Sequence, residues 1–237
     1  GAGDITVSVP ITKTVGGNAN LTLTAHNNIN LNAGITSTAG TLNVNLNADS
    51  DTAGGGTVTI GNSVDIDVNG GSIDFSGATD ILLDGSAFIR NATVTSSGVG
   101  GLVVDGFFLF DGVTLDSNLD INNARELTIN NGLTLGGTVP VITMGSTGTN
   151  TSLNFPGTQL FGGTGSVVFG GTSNNNFLLP NTDGTLTIGS GINISGGGRV
   201  GGININRPVI NNGNISADTT GRTISLFFTT NNGNLTA

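Results

Sequence analysis

The 237-residue chain contains no cysteine, no tryptophan and no tyrosine, and only 9% of its residues are charged. Without cysteine there are no disulfides, a state that suits an exported protein but equally many cytosolic ones. Histidine occurs once, as His26 in an expected turn beside two asparagines, so a Ser/His/Asp triad has no base with an acid close in sequence. Lys13 and five arginines stand against 15 acids, for a net charge of -9. The basic stripe of a nucleic-acid binder is missing, and anionic membrane surfaces are disfavoured by the same balance. There is no unbroken run of 18 apolar residues and no charged-then-apolar leader at Gly1. The expectation is no nucleic-acid partner, no membrane insertion, and either a leader already removed or an internal piece of a longer chain. No segment carries a 3.6-residue apolar stripe with start and stop signals, so helices are not expected.

What the chain has in quantity is glycine (41), threonine (34), asparagine (32) and serine (18). Glycine and asparagine tolerate left-handed backbone angles, which suits a chain that turns every few residues. Disorder would fit that polarity, but not 35% hydrophobic residues placed in alternation. The stretch from Leu21 to Val68 shows the pattern best. Leu21/Leu23, Ile29/Leu31, Leu42/Val44/Leu46, Val58/Ile60 and Val64/Ile66/Val68 alternate with polar residues, separated by short Asn, Gly, Thr and Asp runs. Period two puts every second side chain on one face of a strand.

These strands are too short to bury a face alone, and they recur. Apparent cycle starts fall at Leu21, Leu42, Val64, Leu82, Leu102 and Leu119. After a less regular middle, Val167, Leu186, Ile203 and Ile224 continue the same spacing. A period of about 20 residues with short strands in each cycle is the mark of a stacked solenoid. The expected fold is all-β: a parallel β-helix (solenoid) of about 11–12 coils of ~20 residues. At ~4.8 Å per coil it forms a rod roughly 55 Å long. No linker-like stretch divides the chain, so 1–237 is expected to be a single β-helical segment.

Within that frame, Asn in NINLN, NVNLN and ININ is expected to stack in amide ladders. Ile5/Val7/Val9 opens the first strand. Phe107 and Phe108 are adjacent, so one of them faces out, beneath a loop or against a neighbouring chain, unless the coil widens to hold both. Pro140, Pro156, Pro180 and Pro208 are expected between strands, where a missing donor does little harm.

The opening repeats resemble the filamentous haemagglutinin family, the large exported adhesins of two-partner secretion. GDITV at Gly3 to Val7, NLTLTA at Asn20 to Ala25, NINLNA at Asn28 to Ala33 and GTLNV at Gly40 to Val44 carry the likeness, which is clearest over positions 1–75. The family's Asn-Pro-Asn-Leu and Asn-Pro-Asn-Gly secretion motifs are absent. The second half is similar to β-helical passengers of bacterial surface proteins in general. The resemblance implies right-handed coiling, an extracellular location at the bacterial cell surface, and adhesion, matrix or filament formation. The expected partners are further coils or other chains joined end to end, with cell-surface glycans or receptors as ligands. NNGNLTA at Asn231 to Ala237 repeats the coil opening at Gly17 to Ala25, which gives the end-to-end expectation its sequence basis.

The acids are the candidates for chemistry. Asp49/Asp51, Asp65/Asp67 and Asp74/Asp80/Asp84 are the clusters from which Ca²⁺ binding or glycan cleavage could be built. Asp65 and Asp67 alternate with Val64, Ile66 and Val68 and so point outward together. The few, scattered cations argue for a solvating role, and the calcium nonapeptide is absent. GGGTVTIG at Gly54 to Gly61 lacks the lysine of a phosphate loop, leaving its glycines as turn formers. No catalytic, cofactor-binding or metal residue is assigned, and the protein is expected not to be an enzyme. A polysaccharide lyase or hydrolase on the same fold is the alternative. An ice-binding solenoid is a third, requiring unbroken outward threonine rows. Thr22, Thr59, Thr128, Thr134 and Thr187 fit such rows, but Asn or Asp fills the same place in INL, VDI, LDI and INI.

Overall fold

The computed structural model describes residues 3–52, 54–77, 80–98 and 100–237; the opening Gly1 and Ala2, and Val99 of the apolar middle, lie outside them. Among the described residues there is no helix. Parallel strands stack in about 10 turns of roughly 23 residues each, a β-solenoid. The chain divides into two compact units, Gly1–Ser117 and Asn118–Ala237.

In the first unit the strands form three parallel columns. One column stacks Ile5–Val7, Ile29–Leu31, Thr57–Ile60, Asp80–Leu83 and Leu102–Val104. A second begins with Ile11–Lys13 and Ile35–Ser37, a third with Ala19–Thr24 and Leu42–Asn47. The long strands Asp65–Ser76, Phe88–Ser96 and Phe107–Asp116 then serve both, turning from one column to the other midway. They can turn without breaking because left-handed residues sit at the corner: Asn69 and Gly70 (φ 53° and 83°), Asn91 (48°) and Gly112 (62°). Asparagine and glycine adopt that conformation at least cost.

Register turns alternation into a core. Ile11, Ile35, Ile66, Ile89 and Phe110 lie directly above one another, and the last four are buried. Val44, Ile73, Val94 and Leu115 form a matching ladder in the third column, as do Ile29, Val58, Ile81 and Leu102 in the first. Each buried aliphatic side chain adds roughly 1.5–3 kcal/mol of transfer free energy.

The second unit repeats the plan. Its first column runs through Leu119–Ile121, Val141–Met144, the end of Gln159–Phe169, Gly191–Gly196, Asn214–Ser216 and Asn234–Thr236. Its second column places Leu127, Leu153, Leu178, Val200 and Leu226 in register. The third passes from Leu133 and Phe161 through Ile188 to Asn211 and Asn231. Asn211 is fully buried there; its Nδ2 donates to Asn231 Oδ1 (2.7 Å), and its Oδ1 accepts from the Gly213 amide (3.2 Å). A polar core position is tolerable because its hydrogen bonds are made.

Several expectations meet the structure differently. Coils are longer and fewer than the sequence spacing suggests, which pointed to about 11–12 coils of ~20 residues. The first column advances from Ile5 to Ile29, Val58, Ile81 and Leu102, in uneven steps of 24, 29, 23 and 21 along the numbering. The shorter period came from comparing strands of different columns: Leu42 belongs to the third column, Leu82 and Leu102 to the first. Ile203 starts no strand; ININ lies in the 201–208 loop, and Ile203 and Ile205 are each 72% exposed. Gly201 (φ 97°), Gly202 and Pro208 bracket that segment and keep it out of the ladder. The first strand stops at Val7; Val9, next to Pro10, is exposed. Elsewhere the facing was legible. Phe107 is exposed while Phe108 is buried edge-on against Phe110, and Pro140, Pro156, Pro180 and Pro208 all lie outside strands.

Candidate functional site

The outward faces are built from the residues that alternate with the core along each column. In the first unit, Asn20 accepts from Asn43 Nδ2 (3.0 Å), and Asn43 Oδ1 accepts from the amide and hydroxyl of Ser72 (3.1 and 3.2 Å). The neighbouring row is Thr22, Asn45, Asp74, Thr95 and Asp116. Asp74 accepts from Asn45 Nδ2 (3.2 Å), Thr95 Oγ1 (2.8 Å) and Ser97 Oγ (2.8 Å). Part of this face is hollowed into a shallow groove of about 280 Å³. In the second unit Asn234 donates to Asn214 (2.7 Å) and Asn214 to Asn193 (2.7 Å). Of the segments expected to ladder, NVNLN does so through Asn43, while ININ lies in the 201–208 loop.

The acidic clusters come apart on the faces. Asp65 and Asp67 do share an outward face, on either side of buried Ile66. Arg90, one coil on, donates from Nε to Asp65 (2.9 Å) and lies 3.9 Å from Asp111, while Asn91 Nδ2 donates to both oxygens of Asp67 (3.1 Å each). The Arg90 guanidinium also sits 4.9 Å from the Phe88 ring centre. Asp74 lies in the third column and Asp80 in the first, so that trio is split between faces. Asp84 caps its own turn through the Gly85 amide (2.7 Å), and buried Asp49 binds the Gly54 amide (3.0 Å). His26 is exposed in the turn after Thr24. Among the described residues no three or more His, Cys, Asp or Glu side chains are grouped to hold a metal ion, and no helix is long and apolar enough to cross a membrane.

Outward threonines do not form an unbroken row. The first column reads Thr6, Asn30, Thr59, Leu82 and Val103; the second reads Thr12, Thr36, Asp67, Arg90 and Asp111.

Two features of the second unit escaped the sequence reading. The first is an open recess of about 660 Å³ beside Asn130, Asn131, Pro156 and exposed Leu160. Its floor is fixed by Gln159, whose Oε1 accepts from the Gly132 amide (2.9 Å) while Nε2 donates to the Ile129 carbonyl (2.7 Å). The second is a sandwich on the outward face of the second column. Phe177 and Arg199 are in register, and the Arg199 guanidinium lies 4.4 Å from the Phe177 ring centre and 5.7 Å from that of Phe227. Such contacts are worth about 0.5–1 kcal/mol each at exposed sites. Burial pushes the Arg199 pKa down from its usual value, yet a guanidinium keeps its charge in proteins. Its Nε is sealed from solvent with no acceptor. Residues 177, 199 and 227 are 22 and 28 positions apart, near one coil each, and that spacing was the available signal.

Comparison of the chain with protein-family models, curated proteins and solved structures found no match.

Proposed function

We propose that this chain is a structural and adhesive β-solenoid of a secreted or surface-exposed bacterial protein, working by presenting the lateral faces of its stacked coils. The observation that carries the reading is how the outward polar side chains are used. Asp65, Asp67 and Asp74, the acids best placed for chemistry, are each tied to the neighbouring coil by Arg90, Asn91, Asn45 and Thr95. They brace the stack, where an acid–base pair would need its carboxylates directed at substrate. The resemblance of positions 1–75 to exported haemagglutinins supports the extracellular setting. The mixed outward columns weigh against an ice-binding face. In this reading the chain carries out no reaction of its own, and further coils or other chains join it end to end.

The test is retention under flow. Beads coated with the purified protein should hold to animal-cell monolayers or to bacterial matrix more firmly than beads coated with an unrelated β-solenoid. Equal retention on every surface would overturn the adhesive reading.

A further inference from the structure

We infer that Arg199 is the anion-reading group of a lateral glycan site, one that takes the carboxylate of a single acidic sugar on an otherwise neutral chain. The inference deepens the adhesive reading above and rests on it for its biological setting. The other cations are partnered. Arg90 is bonded to Asp65, Arg207 to Asp183 (3.4 Å), and Arg222 to the carbonyls of Ser173 and Gly171 (2.7 Å each). Lys13 donates to the Ala39 carbonyl, and Arg125 is also partnered. Arg199 differs: its Nε has no hydrogen-bond partner, in a chain of net charge -9. Its position is nevertheless fixed, by Phe177 and by Phe227 folding back from the next coil. Nε is sealed while Arg199 as a whole is part-exposed, which leaves its Nη donors as the groups open to a ligand.

A guanidinium held by aromatic rings offers its in-plane edge, and that edge matches the two oxygens of a carboxylate. A dense polyanion would need several cations, and a molecule of net charge -9 repels it more strongly than it repels a single carboxylate. Peptides are poorly served on this face. Backbone groups of the Gly198–Val200 strand are engaged with the coils on either side, leaving no open strand edge for an extended peptide to extend. A sugar is better matched. Ser152 and Ser225 lie in the same outward column as Arg199, so hydroxyls flank the sandwich. The exposed ring of Phe227 offers apolar surface to sugar C–H groups.

Calorimetric titration at low salt tests this with three probes: a neutral oligosaccharide capped by glucuronic acid, the same oligosaccharide capped by glucose, and a peptide ending in a single glutamate. The acidic glycan should bind at least about tenfold more tightly than the other two, and rising salt should weaken it. Arg199→Gln should remove that preference, and Arg199→Lys should keep part of it, since the charge remains while the planar edge is lost. Phe177→Leu, which leaves the charge but loosens the sandwich, should also weaken the acidic glycan. Thermal melting of each variant checks that the coil is intact. Equal binding of the two glycans, peptide binding as tight as the acidic glycan, or an unaffected Arg199→Gln would each overturn the assignment. Bead retention is scored on Arg199→Gln as well. If cells still hold that variant while the glycan preference is absent from the wild type, the site fails and the adhesive reading stands. If the preference is present but beads are not retained, the reverse holds.

Discussion

Replacing Ile66 by alanine probes the central claim, that alternation in sequence becomes a vertical ladder of side chains. Ile66 has no solvent exposure and stands in register between Ile35 and Ile89, both also fully buried. The substitution removes three carbons, about 2.4 kcal/mol of transfer free energy at ~0.8 each. The cavity left behind adds to this, because the parallel strands above and below cannot close over it; the total falls within about 2–5 kcal/mol. Asp65→Asn, one residue away on the same strand, is the matched control. Its ion pair with Arg90 is over a third exposed on the Asp side, so its loss should cost only about 0.2–1 kcal/mol. Urea titration gives the two costs. Hydrogen exchange locates them, since a solenoid opens locally: amides of Ile35–Ser37 and Phe88–Ser96 should lose protection first. Ile66→Asp should exceed the alanine cost, because it leaves a carboxylate in that column without a partner. Similar stabilities for Ile66→Ala and Asp65→Asn would refute the assigned facing.

Other expectations are as direct. Asn176 is buried; its Oδ1 accepts from the Ser146 amide (3.1 Å) and its Nδ2 donates to the carbonyls of Gly170 (3.0 Å) and Gly197 (3.2 Å). Asn176→Ala should cost about 3 kcal/mol or more, and the near-isosteric Asn176→Asp should melt lower still, as it sets a carboxylate against carbonyl oxygens. Gly71→Ala would drive a methyl group into the backbone of Leu42, and chemical denaturation should show a loss of about 1–3 kcal/mol. The purified protein should release no reducing or unsaturated ends from acidic or neutral polysaccharides; release abolished by Asp65→Asn or Asp67→Asn would revive the enzyme reading. Sedimentation should show association that grows with concentration, and a strict monomer throughout would defeat end-to-end joining.

Alternation alone settled that Val64, Ile66 and Val68 face in and that Asp65 and Asp67 face out; for Phe107 and Phe108 it left open either one exposed ring or a widened coil. A strand's two faces follow from the backbone's period of two, and period two is written in consecutive residues. The sequence also carried the turns, because Asn69, Gly70, Asn91 and Gly112 are the residue types a left-handed corner favours. It did not settle which column a strand joins. Leu42 and Leu82 look alike in sequence yet belong to different faces, and coil length varies, as the step of 29 from Ile29 to Val58 shows, so only pairing register reveals the true period. Nor could it tell ININ in a loop from the same pattern in a strand. The surface features depend on register most of all. Arg90 meets Asp65, and Arg199 meets Phe177 and Phe227, across roughly one coil of chain. A shift of one residue in pairing would turn every one of these side chains to the other face. The stacking of coils, held by interstrand hydrogen bonds and close packing of the core, made that choice.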